Sequence, residues 1–336
     1  MTPMTSDSGD VLQSFLFDGL PVRGLLVRLG GSWRELLRRR QTLAPLPDAV
    51  RDTLGELAAA AVLMQANLKF EGALELQIQG DAALKLLVAE ARHDLGFRAT
   101  CKWTGPQHSQ HPPEAHGNPD LARLVNTRGL GRCAITLDPG RARPGQQAWQ
   151  GIVALNDASG QPLHRLSDAL EHYMQQSEQL HTRFVLAADG ETAAGILIQR
   201  LPLEGENNLG GERDSATRAA HDDAVERISH LVATVQREEL LTLPAPELLR
   251  RLFWEDTLLD MGQRTPHYGC TCTRERVGGM LRHLGHDDVQ ALLAERGGHA
   301  EIACEFCGEH YRYDAVDVAH LFTPDPQGAP GPSGVQ

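Results

Sequence analysis

Four of the six cysteines in this 336-residue chain fall in two close pairs near its C-terminal end. The pairs are Cys270-Thr-Cys272 and Cys304-Glu-Phe-Cys307, with 31 residues between them. Zinc prefers tetrahedral thiolate coordination, and two close pairs separated by a folded excursion supply the four corners. Gly308 would let the second turn bend back beneath the ion. The spacing therefore predicts that Cys270, Cys272, Cys304 and Cys307 bind one Zn²⁺ per chain.

A site with all four coordination positions filled by protein sulfur leaves none open, so metal-activated hydrolysis is not expected. Structural zinc contributes roughly 10 to 16 kcal/mol of apparent folding free energy to small units. We expect the short unit around the cysteines to unfold without its metal. Oxidation of the thiolates to disulfides would also eject zinc, because a disulfide sulfur is not an anionic ligand. The residues alone leave a structural role and a redox switch open.

Three other interpretations concern the same cysteines. A C-x-x-C pair occurs in thiol-disulfide oxidoreductases, but there it lies at a helix N-terminus, whereas Cys304 and Cys307 are predicted in a turn between strands. Nucleic-acid binding is disfavoured because residues 262–322 hold six Arg against nine Asp and Glu, and the whole chain carries a net charge of -12. A constitutive interaction protein with a purely structural zinc ribbon stays an alternative, as does the oxidoreductase.

Hydrophobic periodicity predicts an α+β fold whose N-terminal mixed domain has a largely antiparallel sheet. The predicted elements are a helix at 48–65, a helix at 168–180 capped by Ser167, and strands at 73–79, 134–137, 149–155, 184–188 and 194–201. Tight turns at Asp138-Pro139-Gly140 and Asp189-Gly190 join consecutive strands, which is typical of antiparallel pairing. The remaining cysteines, Cys101 and Cys133, are isolated and predicted to be buried thiols.

The composition changes at Pro202, and we divide the chain into four parts. These are an N-terminal core (1–201), an acidic loop with a helical linker (202–261), a small zinc-binding domain (262–322) and a Pro/Gly-rich tail predicted to be disordered (323–336). Within the zinc-binding domain, Gly285 is predicted to end one helix, Asp287 to cap the next, and Asp314 to cap a third helix at 315–322.

The linker is predicted to contain two amphipathic helices. The first runs from Asp214 or Ser215 to about Leu240, and the second begins at Pro246. The first helix carries one apolar stripe, formed by Val225, Ile228, Leu231, Val232 and Val235. Two such helices are too few to form a core of their own, so we expect them to pack on another surface.

No segment of the sequence predicts export or membrane insertion. No Lys or Arg precedes Arg23, and the longest apolar run, Leu57 to Met64, has eight residues, far short of the ~20 that span a bilayer. Six cysteines are too sparse for a disulfide scaffold. We therefore expect a soluble cytoplasmic protein without membrane contact. The sequence also has no Walker motif, nucleophile elbow or zinc-protease helix, so an enzyme is not expected.

Beyond the cysteine pairs, several motifs give the chain a family resemblance. The stretch 270–276, the Cys304–Gly308 turn, Tyr311-Arg-Tyr313 and Asp317 resemble the 33 kDa chaperonins, a family of redox-regulated heat-shock chaperones. Further matching segments are 68–72, 135–140, 150–153, 177–180 and 195–199, and the resemblance spans about residues 11–322 in the family's order. The departures are His181 where Pro is usual, a lengthened acidic loop at 204–213, and the tail. None of them touches the four cysteines.

The resemblance implies an ATP-independent holdase that is largely inactive while reduced and zinc-bound. It implies that oxidative stress, with heat or another unfolding stress, joins Cys270 to Cys272 and Cys304 to Cys307 and releases zinc. The C-terminal unit and the linker then loosen, and the apolar surface they covered binds unfolding client proteins. The active form of the family tends to form a dimer. On this basis we expect the linker stripe to gate the client surface.

Overall fold

The computed structural model describes residues 9–41, 43, 45–68, 70–104, 120–140, 147–202 and 215–323, with the backbone alone for 215–219. The predicted acidic loop at 204–213 and the tail from 324 onward lie outside these residues. The chain divides into two compact units, Met1–Gly269 and Cys270–Gln336.

The structure contains both helices and strands throughout the described residues. The strands are β1 (Val11–Phe17), β2 (Val22–Leu29), β3 (Ala73–Gln79), β4 (Leu84–Arg92), β5 (Gly96–Trp103), β6 (Arg132–Asp138), β7 (Trp149–Ala154), β8 (Thr182–Ala188), β9 (Ala193–Arg200), β10 (Leu258–Arg264), β11 (His267–Tyr268), β12 (His299–Ala303) and β13 (His310–Asp314). The helices are α1 (Gly31–Arg40), α2 (Asp48–Asn67), α3 (Leu121–Val125), α4 (Leu166–Ser177), α5 (Ser215–Ala233), α6 (Arg237–Thr242), α7 (Ala245–Leu252), α8 (Arg274–Leu284), α9 (His286–Glu295) and α10 (Ala315–Phe322). Within the described ranges, none of these helices combines the length and apolarity needed to cross a bilayer.

The first unit contains two sheets. Sheet A has the strand order β10-β1-β2-β9-β8, and sheet B has the order β11-β5-β4-β3-β6-β7. Neighbouring strands are antiparallel, apart from the short parallel pairing of β11 with β5. The two predicted strand pairs correspond to β6–β7 and the β8–β9 hairpin. The predicted α+β class with a largely antiparallel sheet is confirmed.

Helix α2 packs against both sheets and is buried along nearly its whole length. The run Ala58–Ala61 presents small side chains, and one apolar cluster joins this helix to Leu76 of β3 and Leu197 of β9. Close approach is tightest at Gly55, where a Cβ atom would lie 2.4 Å from the Cβ of Ala188. The helix predicted at 48–65 is present and ends two residues later, at Asn67.

Helices α5, α6 and α7, which we call the linker helices, contribute to a second apolar cluster of the first unit. This cluster also holds Phe15, Phe17, Ile196 and Ile198, which come from β1 and β9 of sheet A. Three residues of the predicted stripe are buried in it, and two are partly buried: Ile228, Val232 and Val235, then Val225 and Leu231. The linker helices therefore share a core with sheet A, which supplies the packing surface they lack on their own.

The structure differs from the sequence prediction at several helix ends. The first linker helix ends at Ala233, and α6 begins at Arg237, where Gln236 starts a new helix with a capping box. Val235 therefore lies in the turn between α5 and α6. Two predicted caps are each wrong by two positions. Ser167 and Asp287 lie inside the first turns of α4 and α9, which follow Arg165 and Gly285.

The second unit is small, with a core of six buried residues: Leu281, Val289, Leu293, Ala300, Tyr313 and Val318. Gly285, at φ +103°, ends α8 as predicted, and the Asp314 carboxylate caps α10 by accepting from the backbone N–H groups of Val316 and Asp317. This unit begins at Cys270, whereas composition placed the start of the zinc-binding domain at Gly262. The intervening residues belong to the first unit because β10 pairs with β1 and β11 with β5.

Candidate metal centre

The four paired cysteines lie in two loops of the second unit. Cys270 and Cys272 precede α8, whose first turn is capped by the Thr273 hydroxyl. The other pair lies in the turn between β12 and β13, where the backbone N–H of Gly308 donates to the Cys304 carbonyl at 2.8 Å. Gly308 adopts φ +72°, a conformation that suits glycine. The turn predicted from the C-x-x-C-G pattern is therefore formed.

The four Sγ atoms converge, all lying within 4.8 Å of one another. The Sγ of Cys272 is 3.3 Å from those of Cys270 and Cys307, and the Sγ of Cys270 is 3.7 Å from that of Cys304. Four sulfurs held at about 2.3 Å from a tetrahedral zinc ion would lie about 3.8 Å apart. The arrangement and the all-thiolate donor set therefore fit a four-coordinate metal ion.

The thiols also interact with one another. Cys307 is buried, and the other three are partly buried. The hydrogen bond with Cys304 lowers the pKa of Cys270 to about 4, whereas burial raises the pKa of Cys307 to about 11. The contacts among the thiols thus favour the thiolate form of Cys270. A thiolate is the form of cysteine that binds metals and reacts with oxidants.

Contacts around Arg274 tie the first cysteine loop to the rest of the second unit. The Arg274 guanidinium lies 4.4 Å from the centroid of the Tyr313 ring, and its Nη2 is 2.8 Å from Oδ2 of Asp317. Its Nη1 donates to the Arg312 carbonyl, and the Tyr313 hydroxyl donates to the Arg274 carbonyl. These bonds connect the start of α8, two residues after Cys272, with β13 and α10. The sequence motifs included these residues but did not predict this role.

The remaining sequence-predicted residues belong to the first unit. Cys101 on β5 and Cys133 on β6 are buried, as predicted. Burial raises the pKa of Cys101 and raises that of Cys133 to about 12, so both stay protonated at neutral pH. The linker stripe lies against sheet A. Neither set is part of the four-cysteine cluster.

Comparisons with known proteins agree with the motifs around this centre. The family profile described as "Hsp33 protein" matches residues 10–314. The 33 kDa chaperonin of Chromobacterium violaceum is 43% identical over 323 residues, covering 96% of this chain and 97% of that protein. The 33 kDa chaperonin of Methylobacillus flagellatus is 41% identical over 316 residues, covering 94% of each chain.

A solved structure shows the same fold. The crystal structure of the 33 kDa chaperonin of Thermotoga maritima, a heat shock protein 33 homolog, matches with a TM-score of 0.71. The match covers 94% of this chain and 97% of that one at 19% identity, so it supports the fold alone. The extent of the profile match and the identity to the two curated relatives together place this chain in the Hsp33 family.

Proposed function

We propose that this protein is a redox-regulated, ATP-independent holdase that binds unfolding proteins under oxidative and heat stress. The observation that carries the proposal is the convergence of four Sγ atoms within 4.8 Å in a unit whose apolar cluster has six buried members among the described residues. Membership of a family whose curated relatives are named 33 kDa chaperonins supports the chaperone activity.

In the resting state the cluster would bind one Zn²⁺ through Cys270, Cys272, Cys304 and Cys307. The bound ion would cross-link the loop before α8 to the β12–β13 turn. A core of six buried residues gives a unit of this size only marginal stability on its own. The four thiolates are therefore needed as metal ligands for the second unit to stay folded.

Oxidation removes those ligands. Two equivalents of peroxide take four electrons from the four thiolates, and with four protons they yield two disulfides and four waters. Following the family resemblance, we assign the disulfides to Cys270–Cys272 and Cys304–Cys307. A disulfide sulfur carries no charge to bind a cation, so zinc is released and the unit loses its main source of stability.

Loosening of the second unit would reach the linker helices through the connecting chain. That chain contains β10, of which six of seven residues are exposed, and β11, of only two residues. Strands with so little burial open at low cost in free energy. Once they open, the linker helices lose their anchored C-terminal end, and the apolar face of sheet A becomes available to clients. The active form would then dimerise.

A single experiment tests this function. Zinc release and suppression of aggregation of a heat-unfolded client are measured together, before and after peroxide treatment of the reduced, zinc-loaded protein. We expect zinc release and suppression of aggregation to rise together after peroxide treatment, in a buffer at neutral pH without ATP. Zinc retention with unchanged suppression would indicate a constitutive interaction protein with a structural zinc ribbon. Catalytic turnover of a disulfide substrate would indicate an oxidoreductase.

A further inference from the structure

Helix α6 is attached to α2 and sheet A by a partly buried ion pair as well as by apolar packing. The Nη2 atom of Arg237 lies 2.8 Å from Oδ2 of Asp52, whose side chain is 7% exposed. The same nitrogen donates to the carbonyl of Ala188, the last residue of the edge strand β8. Arg237 thus connects the first residue of α6 to β8 and to α2.

The corner that receives Arg237 is acidic. Glu56 lies one turn after Asp52 on α2 and is also buried. The cation supplied by α2 itself is Arg51, which donates to Oδ1 of Asp52 through Nε at 2.9 Å and Nη2 at 2.7 Å. Without Arg237, Oδ2 of Asp52 and the carbonyl of Ala188 would lose the guanidinium that donates to them, and Arg51 would remain bound to Oδ1 of Asp52. The corner, formed by Asp52, Glu56 and Arg51 and named here the acidic corner, therefore favours a second cation.

The other end of α6 is held through its backbone. Arg28 of β2 donates from Nη1 to the carbonyl of Leu243 at 2.8 Å and from Nη2 to the carbonyl of Leu241. Leu240 and Leu241 are buried on the apolar floor provided by Val22, Leu26, Ala187, Ala194, Ile196 and Ile198. Arg28 binds main-chain oxygen and the floor is apolar, so neither contact selects a particular side chain. We call the surface that α6 occupies, formed by the acidic corner, Arg28 and the apolar floor, the groove. The acidic corner is the part of this groove that selects a particular side chain.

We propose that this groove, once the linker helices leave it, binds client segments that resemble α6. Such a segment is an amphipathic helix with Arg or Lys three and four residues before two large apolar side chains, as Arg237 precedes Leu240 and Leu241. This inference rests on the proposed function and names the client chemistry of the same surface. The linker is then an internal occupant that competes with clients.

Charge decides which segments are accepted. An apolar segment with Arg or Lys at the matching position replaces the cation that the acidic corner loses with Arg237. A segment with Asp or Glu there would bring a second carboxylate beside that of Asp52, and like charges at a desolvated contact are strongly unfavourable. The affinity for a client should therefore depend on a basic residue before the apolar pair and not on the apolarity of the segment alone.

Labelled peptides test the proposal directly. The probe is a fluorescent peptide of residues 234–253, with two variants carrying Arg237→Glu or Arg250→Glu. Arg250 is exposed on α7 and serves as the matched control. The receptor is the reduced, zinc-loaded full chain carrying Arg237→Glu, whose own linker cannot fill the acidic corner. We expect the parent and Arg250→Glu peptides to bind alike. The Arg237→Glu peptide should bind at least about tenfold more weakly, as for the loss of a charge pair whose carboxylate is buried.

The peroxide-treated parent protein is the second receptor, and it keeps the test valid if the Arg237→Glu chain does not fold by circular dichroism. Equal binding of the three peptides would contradict the proposal that the acidic corner selects clients. The proposal would also be contradicted if an oxidised chain suppressed aggregation but bound none of the peptides. Either result would leave the redox holdase in place. An oxidised chain that fails to suppress aggregation, while the reduced variant binds the peptides in the expected order, would refute the redox function and keep the groove chemistry.

Discussion

Arg237 of the linker and Asp52 of the central helix form an ion pair, with 2.8 Å between Nη2 and Oδ2. This pair lies beside Glu56, one helical turn further along α2. Burial raises the pKa of Glu56 to about 8, with the charge of Arg237 opposing the shift and that of Asp52 adding to it. The Glu56 carboxyl group is therefore protonated in the folded protein at neutral pH.

The pKa of Glu56 predicts a pH dependence of stability. The pKa of Glu56 in the folded state lies above the ordinary value of 4.5. Protonation of Glu56 therefore stabilises the folded protein fully below pH 4.5, and this stabilisation is lost as the pH rises to about 8. The Glu56→Gln variant has no proton to lose there. In urea denaturation at pH 5.5 and 8.5, we expect the parent to lose more stability than the variant. Equal losses would show that Glu56 does not titrate in this range.

Disruption of the apolar linker stripe should give a chaperone that is partly active without oxidant. Ile228 is fully buried in the cluster with sheet A. Loss of a fully buried aliphatic side chain costs roughly 1.5 to 3 kcal/mol, and burying a charge adds to that. We expect reduced, zinc-loaded Ile228→Asp to suppress client aggregation more than the parent. The control is Ala220→Asp, at an exposed position of the same helix. Activity equal to the parent, with equal folding, would show that this face does not gate client binding.

Replacement of one cluster cysteine tests the metal site. Cys304→Ser removes one of the four converging Sγ atoms, and a hydroxyl oxygen is a poor substitute for thiolate sulfur. We expect zinc to be lost to a competing chelator at much lower chelator concentration than from the parent. The second unit should also become sensitive to protease. Cys133→Ser, outside the cluster, should retain zinc like the parent. Full occupancy in Cys304→Ser would mean that the ligand set is misassigned.

The two isolated cysteines should not take part in switching. Cys101 and Cys133 are buried and burial raises the pKa of both thiols, so neither offers a thiolate to peroxide at neutral pH. A chain with Ala at both positions should be activated by peroxide to the same extent as the parent. Loss of activation in a variant that stays folded would place a redox centre in the first unit.

Local patterns in the sequence predicted much of this molecule. The helix at 48–65, the strand at 73–79 and the hairpin around Asp189-Gly190 follow from periodicity and turn residues that act over a few positions. The four cysteines could be assigned to one cluster because thiolate pairs at this spacing have few other uses. Helix caps were less predictable, since α4 and α9 begin after Arg165 and Gly285, neither of which forms a side-chain cap hydrogen bond.

Contacts between segments far apart in the chain could not be predicted from local sequence patterns. The sequence of β10 does not alternate, and this edge strand is defined by its pairing with β1, about 250 residues earlier in the chain. Arg237 and Asp52 are 185 positions apart, and nothing in either neighbourhood marks them as partners. Such pairs depend on how the sheets and helices pack, which a single sequence does not reveal.

The central claim is that oxidation of the four cysteines releases the linker helices from sheet A. Hydrogen–deuterium exchange of the full chain, reduced and zinc-loaded or treated with peroxide, measures this release at the amides of residues 220–253. We expect exchange in these residues to become much faster after oxidation, while the amides of the buried helix α2 stay protected. Unchanged exchange over 220–253 in an oxidised chain that suppresses client aggregation would contradict the claim.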